Sequence, residues 1–189
     1  MVIESQKEFL DAVTDYAITH LTALKLNGVK KQFSFSLECG ILEDFNYFDI
    51  TKAPRYAAMF CALHKAKGPV LYWMEMAPGT DTQDPIRRLS AYKLLKHKNT
   101  PALRSNINYD SDTLYVGKVK SGICGRIVTH LGFFKVAQTQ GLQLFYWAKE
   151  ANLCLTLHVI EFEKEMENIL PIFEYSFAKK LRPLIGKHT

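Results

Sequence analysis

The sequence predicts an α+β fold, a small mixed or antiparallel sheet of three strands flanked by helices, with an α/β N-terminal extension and a basic helical insert. Three observations predict it. Strand patterns at Gln32–Leu37, Val70–Met74, Thr113–Gly117 and Leu153–Phe162 are separated by segments of helical period. Breaker residues, Asn27-Gly28, Gly68-Pro69, Pro78-Gly79, Pro101 and Pro183, fall between them. The chain is 48% hydrophobic and 23% charged, which excludes disorder and collagen-like repeats. At 189 residues it can bury roughly 70% of its extended surface without a metal or disulfide staple.

In chain order, Ser5 and Glu8 form a capping box ahead of Phe9, Val13, Tyr16, Ala17 and Leu24 at helical spacing, and Asn27-Gly28 stops that helix. Gln32 to Leu37 alternates Phe33, Phe35 and Leu37 with polar residues, a half-buried strand. Thr51 to Lys67 predicts a second helix, with Pro54 in its first turn. Val70 to Met74 is a buried strand. Asp84-Pro85 starts a basic helix from Ile86 to about Lys98, which Pro101 ends. The strand Thr113–Gly117, a helix from Cys124 to Phe134, a helix-leaning segment Gly141–Lys149 and the strand Leu153–Phe162 follow. The last helix begins between Asn168 and Pro171 and stops before Pro183. The division this implies is an extension, residues 1–67, packed on a core domain, residues 68–189, with an insert at 79–112.

No apolar run is long enough to span a membrane. The opening MVIESQKEFLDAV is acidic and lacks an apolar centre, so no export signal and a cytoplasmic setting are expected. Cys39, Cys61, Cys124 and Cys154 show no CxxC pair and no finger-like histidine spacing, which makes them reduced thiols rather than a zinc site. Net charge is +5, from 24 Lys and Arg against 19 Asp and Glu, a mild excess that leaves polyanions open as partners. Its distribution is uneven. Arg87, Arg88, Lys93, Lys96, Lys98 and Arg104 lie in a stretch with no acid, and Lys179, Lys180, Arg182 and Lys187 cluster at the C-terminal end. Such runs are either solvated helix faces or phosphate contacts.

Several polar residues sit where a plain core would not need them. Glu174 falls on the apolar stripe of the last helix, beside Leu170, Phe177, Ala178 and Leu181. A carboxylate there needs a cation, a metal or hydrogen-bond donors, or must reach past the stripe to solvent. Arg126 and His130, four apart, share one helix face, and Lys118 follows the preceding strand. Gly117, Gly122 and Gly125 allow tight turns or a close backbone approach.

Taken in order, Leu71-Tyr72 on one strand, Tyr115-Val116-Gly117 on the next, Arg126 and His130 on a helix, and Glu174 nine residues before Pro183 resemble the GIY-YIG nuclease superfamily over residues 68–187. The first half-motif keeps only its tyrosine, about 40 residues separate Tyr72 from Tyr115, and Gly186 stands where the family often has asparagine. The resemblance implies a metal-dependent endonuclease that hydrolyses phosphodiester bonds in DNA, with RNA left open. It makes Tyr72 the leading general base and Tyr115 the group that orients water or phosphate. A phenol acts as a base near neutral pH only in a cationic neighbourhood.

In that arrangement Glu174 holds Mg²⁺ or Mn²⁺, Arg126 meets the developing phosphoryl charge, Lys118 adds a point charge, and His130 bonds a tyrosine or the phosphate. The basic insert, Arg87, Arg88, Lys93, Lys96, Lys98 and Arg104, tracks the DNA backbone. A homodimer would supply two sites for two strands. The alternative is a nuclease-fold nucleic-acid-binding protein with little or no catalysis. A protein-interaction module using the aromatic N-terminal part is a third class.

Overall fold

The computed structural model describes residues 2–133 and 140–186; Phe134 and Lys187 lie outside them. The described residues form an α+β structure on one sheet. Its strands are β1 (Lys31–Glu38), β2 (Val70–Met76), β3 (Thr113–Val119) and β4 (Cys154–Glu161), in the order β1-β4-β2-β3 and antiparallel throughout. The expected three strands are thus four. Phe33, Phe35 and Leu37 all turn to one side of β1, and pairing its whole length with β4, from Lys31↔Glu161 to Glu38↔Cys154, lets that side join the core.

Helices cover both faces. Among the described residues they are α1 (Val2–Asn27), α2 (Ala57–Lys65), α3 (Gln83–Leu94), α4 (Ile123–Leu131), α5 (Leu144–Trp147) and α6 (Leu170–Leu181). The larger core lies between one sheet face and α2 to α5, with Phe60, Leu89, Ile127 and Trp147 meeting Tyr72, Met74 and Leu157. A smaller core on the other face packs Leu71 and Val116 under Leu170 and Ala178 of α6, with Ala17 and Leu24 of α1 at its margin. Central β2 is therefore covered on both sides, which explains its unbroken apolar run.

Local sequence explains where the elements begin. α1 starts at Val2, so Ser5 lies inside the helix instead of capping it. Ala53 is held extended ahead of Pro54, so the expected helix over 51–67 opens as two 3-10 turns before α2. α3 runs earlier than the expected Ile86–Lys98, and Asp84 and Pro85 fall in its first turn. It ends at Leu94, with Lys96 left-handed at φ 55°. At the far end of β4, fully buried Glu161 accepts the backbone N–H groups of Lys67 at 3.0 Å and Gly68 at 2.8 Å. Lys30 Nζ lies 3.5 Å from the same oxygen, so this carboxylate ties the entry of β2 to the edge strand. Cys39 and Cys124 are buried, Cys61 and Cys154 exposed, and all four are free thiols. No helix among the described residues is long and apolar enough to cross a membrane.

Candidate active site

The site begins with side-chain alternation on two strands. Tyr72 pairs with Gly117 across the β2–β3 ladder, and Tyr115 is the next residue of β3 on that face, with the two rings 6.2 Å apart. A Cβ at position 117 would lie 2.6 Å from Tyr72 Oη and 2.7 Å from Tyr115 Cε1, so glycine here makes the space that the rings fill. α4 then crosses above them. Gly122 opens it with φ 72°, a left-handed turn, and Gly132 closes it, while at Gly125 an added Cβ would meet nothing. Ile123, Ile127 and Leu131 bury one side of α4, and the four-residue step from Arg126 to His130 brings both to the tyrosines.

Hydrogen bonds fix the protons. Leu142 N–H donates to His130 Nδ1 at 3.1 Å, which leaves the hydrogen of the neutral ring on Nε2. That N–H donates to Tyr72 Oη at 2.8 Å, and Arg126 Nε donates to the same oxygen at 3.1 Å. Arg126 is held at two further points: Nη1 donates to the Gln140 carbonyl at 2.7 Å and Nη2 to Tyr115 Oη at 3.4 Å. Among the described residues, three of its five N–H groups are engaged, and the second hydrogen of each terminal nitrogen meets no acceptor.

Burial governs the titration of this cluster. Both Tyr72 and His130 are fully buried. Desolvation pushes the Tyr72 phenol upward, and the neighbouring Arg126 only partly opposes it. Burial, helped by the Arg126 charge, holds His130 well below the usual histidine range, so it is neutral near pH 7. Burial works against the charge of Arg126, but the two tyrosine oxygens outweigh it and the guanidinium stays charged. Tyr72 as general base therefore meets two obstacles in this arrangement: it reaches no solvent and its proton is held more tightly than in a free phenol.

Tyr115 and Arg126 open onto a cleft of about 300 Å³. Lys93 and Thr100 to Ala102 of the insert, with Gln140 and Gly186, complete its lining. At Gly186 the chain is anchored through its backbone. Leu184 and Ile185 N–H donate to Thr113 and Leu114 carbonyls at 2.9 and 3.0 Å, and Gly186 N–H to the Ala102 carbonyl at 2.9 Å.

Lys118 and Glu174 do not join this cluster. Lys118 pairs with Leu71 in the ladder and so points to the opposite face, where it forms an ion pair with Glu174 of α6. Neither hydrogen-bonds to Tyr72, Tyr115, Arg126 or His130. The expected Mg²⁺ finds at Glu174 a single carboxylate already paired with an ammonium. No group of three His, Cys, Asp or Glu side chains suited to a metal occurs among the described residues. This donor set does not amount to a metal centre, and the buried-stripe carboxylate is accounted for by Lys118.

Several basic residues of the insert have partners within the chain. Arg87 and Arg88 both pair with Asp84, one turn earlier on α3, and Arg88 reaches Glu150 at 3.1 Å. Lys98 donates to the Gly132 carbonyl at 2.7 Å and Tyr146 Oη at 2.9 Å. Arg104 is half-buried and also engaged. Lys93 lines the cleft, where it donates to the Pro101 carbonyl at 3.2 Å, and Lys96 is exposed. Sequence reasoning missed Gln140 and Leu142, because they act through backbone atoms that any residue carries. Gly141 between them did leave a signal, since a Cβ there would collide with the Thr129 carbonyl. In comparisons with known proteins, no family model, no curated protein and no solved structure matches the chain.

Proposed function

We propose that this chain hydrolyses phosphodiester bonds in DNA, receiving a phosphate in the cleft formed by Arg126, Tyr115 and Lys93. One observation carries the reading: the Arg126 guanidinium is held at three points, with two N–H groups unengaged among the described residues, and it lines an open cleft beside a tyrosine hydroxyl. Hydrolysis needs charge relief on the phosphoryl oxygens while water attacks phosphorus and the leaving oxygen gains a proton. A fixed planar fork of donors supplies the first requirement without reorganising. Tyr115 lines the cleft and orients water or phosphate, while Tyr72 and His130 position Tyr115 and Arg126 from beneath. The resemblance to the GIY-YIG superfamily supports the same reading, since its two tyrosines, arginine and histidine are the four residues that meet. A cytoplasmic setting suits the four free thiols.

A second reading is a nucleic-acid-binding protein with little catalysis. The tightly held Tyr72 proton and the Glu174–Lys118 pair favour it. Supercoiled plasmid incubated with Mg²⁺ or EDTA, using the wild type, Arg126→Ala and Glu174→Ala, separates the two. Cleavage lost in Arg126→Ala supports the proposal, and loss in both EDTA and Glu174→Ala assigns the metal to Glu174. Salt-sensitive binding without cleavage moves the conclusion to the second reading. Cleavage that survives Arg126→Ala overturns the site.

A further inference from the structure

On the sheet face that carries α6, a stack of aromatic rings runs out beyond the helix. The antiparallel register sets Ser34, His158, Trp73 and Val116 side by side across β1, β4, β2 and β3, with their side chains on that face. At the inner end Val116 is fully buried, and Phe177 of α6 meets the Trp73 ring at 5.6 Å. His158 lies flat against Trp73, with centroids 4.6 Å apart and planes within 13°, a step equal to the spacing between strands. A carboxylate only accepts, so His158 Nε2–H donates to Glu75 Oε2, at 3.0 Å, and this bond fixes the orientation of the ring.

The stack stops there. The next member of the row is Ser34 on the edge strand, whose side chain is too short to cover the imidazole, and among the described residues no other ring stacks on His158. A recess of about 320 Å³ opens at this place. Gln32, Ser34, Trp73, His158 and Ile160 contribute to its wall, and no residue of α1 or α6 does. Gln32 stands two residues from Ser34 on the same face of β1. Neither its carboxamide nor the Ser34 hydroxyl has a hydrogen-bond partner among the described residues.

We propose that this recess binds an unpaired adenine base, stacked on the outer face of His158 with its edge on Gln32 and Ser34. An imidazole face held flat by Trp73 and Glu75 selects a planar ring over a sugar or an aliphatic chain. The polar floor selects a base over a phenyl ring, because a phenyl edge has nothing to offer a carboxamide, whereas the donor and acceptor of a glutamine match the edge of adenine. The Glu75 carboxylate beside the ring repels phosphate, so the base is the part received here. A free nucleoside or nucleotide and an unpaired base within a single strand share this chemistry.

The test titrates the full chain, in EDTA, with adenosine and separately with a single-stranded oligodeoxyadenylate, followed by proton NMR of the His158 ring and by calorimetry. Adenosine carries no phosphate, so it reads this recess and not the Arg126 cleft. Saturable binding with an upfield shift of the His158 ring protons is expected. His158→Ala and Ser34→Phe, the second of which fills the recess with a ring of its own, are each expected to weaken it about tenfold or more. Far-UV circular dichroism checks that both variants are folded. Oligonucleotide binding that adenosine competes away and Ser34→Phe weakens assigns the base to a single strand, and adenosine binding alone assigns it to a free nucleoside or nucleotide. No saturable binding of either probe overturns the proposal, as does binding that leaves the His158 protons unshifted or is indifferent to both substitutions. The readout is binding without metal, so it is independent of the nuclease proposal.

Discussion

Tyr72 and Gly117 face each other across the β2–β3 ladder, and the side chain that Gly117 lacks is the space that the Tyr72 ring occupies. Gly117→Ala would put a methyl 2.6 Å from the Tyr72 hydroxyl and 2.7 Å from the Tyr115 ring, and Tyr72 is fully buried. Overpacking of this kind costs about 1–3 kcal/mol. Urea denaturation should show a loss of that size, with the nuclease activity proposed above lost alongside. A variant as stable as the wild type would show that the rings move aside.

His130 makes stability depend on pH. Its folded-state pKa is depressed while the unfolded chain keeps the ordinary value near 6.5, so below that pH the unfolded state binds a proton that the folded state refuses. Stability is therefore fully present above about pH 6.5 and falls as the pH drops, by up to about 1.4 kcal/mol per unit from this residue. Urea titrations at a series of pH values, wild type against His130→Gln, should show the gap between them narrowing under acid. A constant gap would mean that His130 takes up its proton in the folded state.

The insert makes a contrast that sequence alone does not. Arg88 is engaged by Asp84 and Glu150, whereas Lys93 lines the cleft. Lys93→Ala is expected to weaken DNA binding and lower the salt slope by about 1, while Arg88→Ala leaves the slope unchanged. Binding measured against salt concentration separates them, and equal slopes for both variants would return the insert to a simple phosphate track.

Glu161 is a carboxylate of structure, not of chemistry. Its Oε1 satisfies two backbone N–H groups at the start of β2, so Glu161→Ala strips both. Each stranded donor costs about 1–3 kcal/mol. Thermal unfolding should fall accordingly, and a variant of unchanged Tm would mean that other groups hold the Lys67–Gly68 turn.

Much of this was legible in the chain. Alternation located β1 and β4, because a half-buried strand repeats every second residue, while an unbroken apolar run located the doubly covered β2. The four-residue step placed Arg126 and His130 on one face of a helix, and both half-motif tyrosines carried the candidate site. Which strand lies beside which, however, is a long-range matter: nothing local in Phe33-Ser34-Phe35 says that it will border β4. The same holds for charge. The run from Ile86 to Arg104 holds no acid, yet Asp84, two residues before it, engages Arg87 and Arg88.

The sequence by itself determined which residue types were available and on which side of each strand or helix they stood, since those follow from backbone periods of 2 and 3.6. Only the tertiary structure decided which of these sides meet. Tyr72, Tyr115, Arg126 and His130 converge because one sheet face and α4 pack together. Lys118, one residue beyond Gly117, turns to the other face and takes Glu174 with it. A single step along a strand separates the two sets, and which partner waits on each face is settled only when helices from distant parts of the chain pack there.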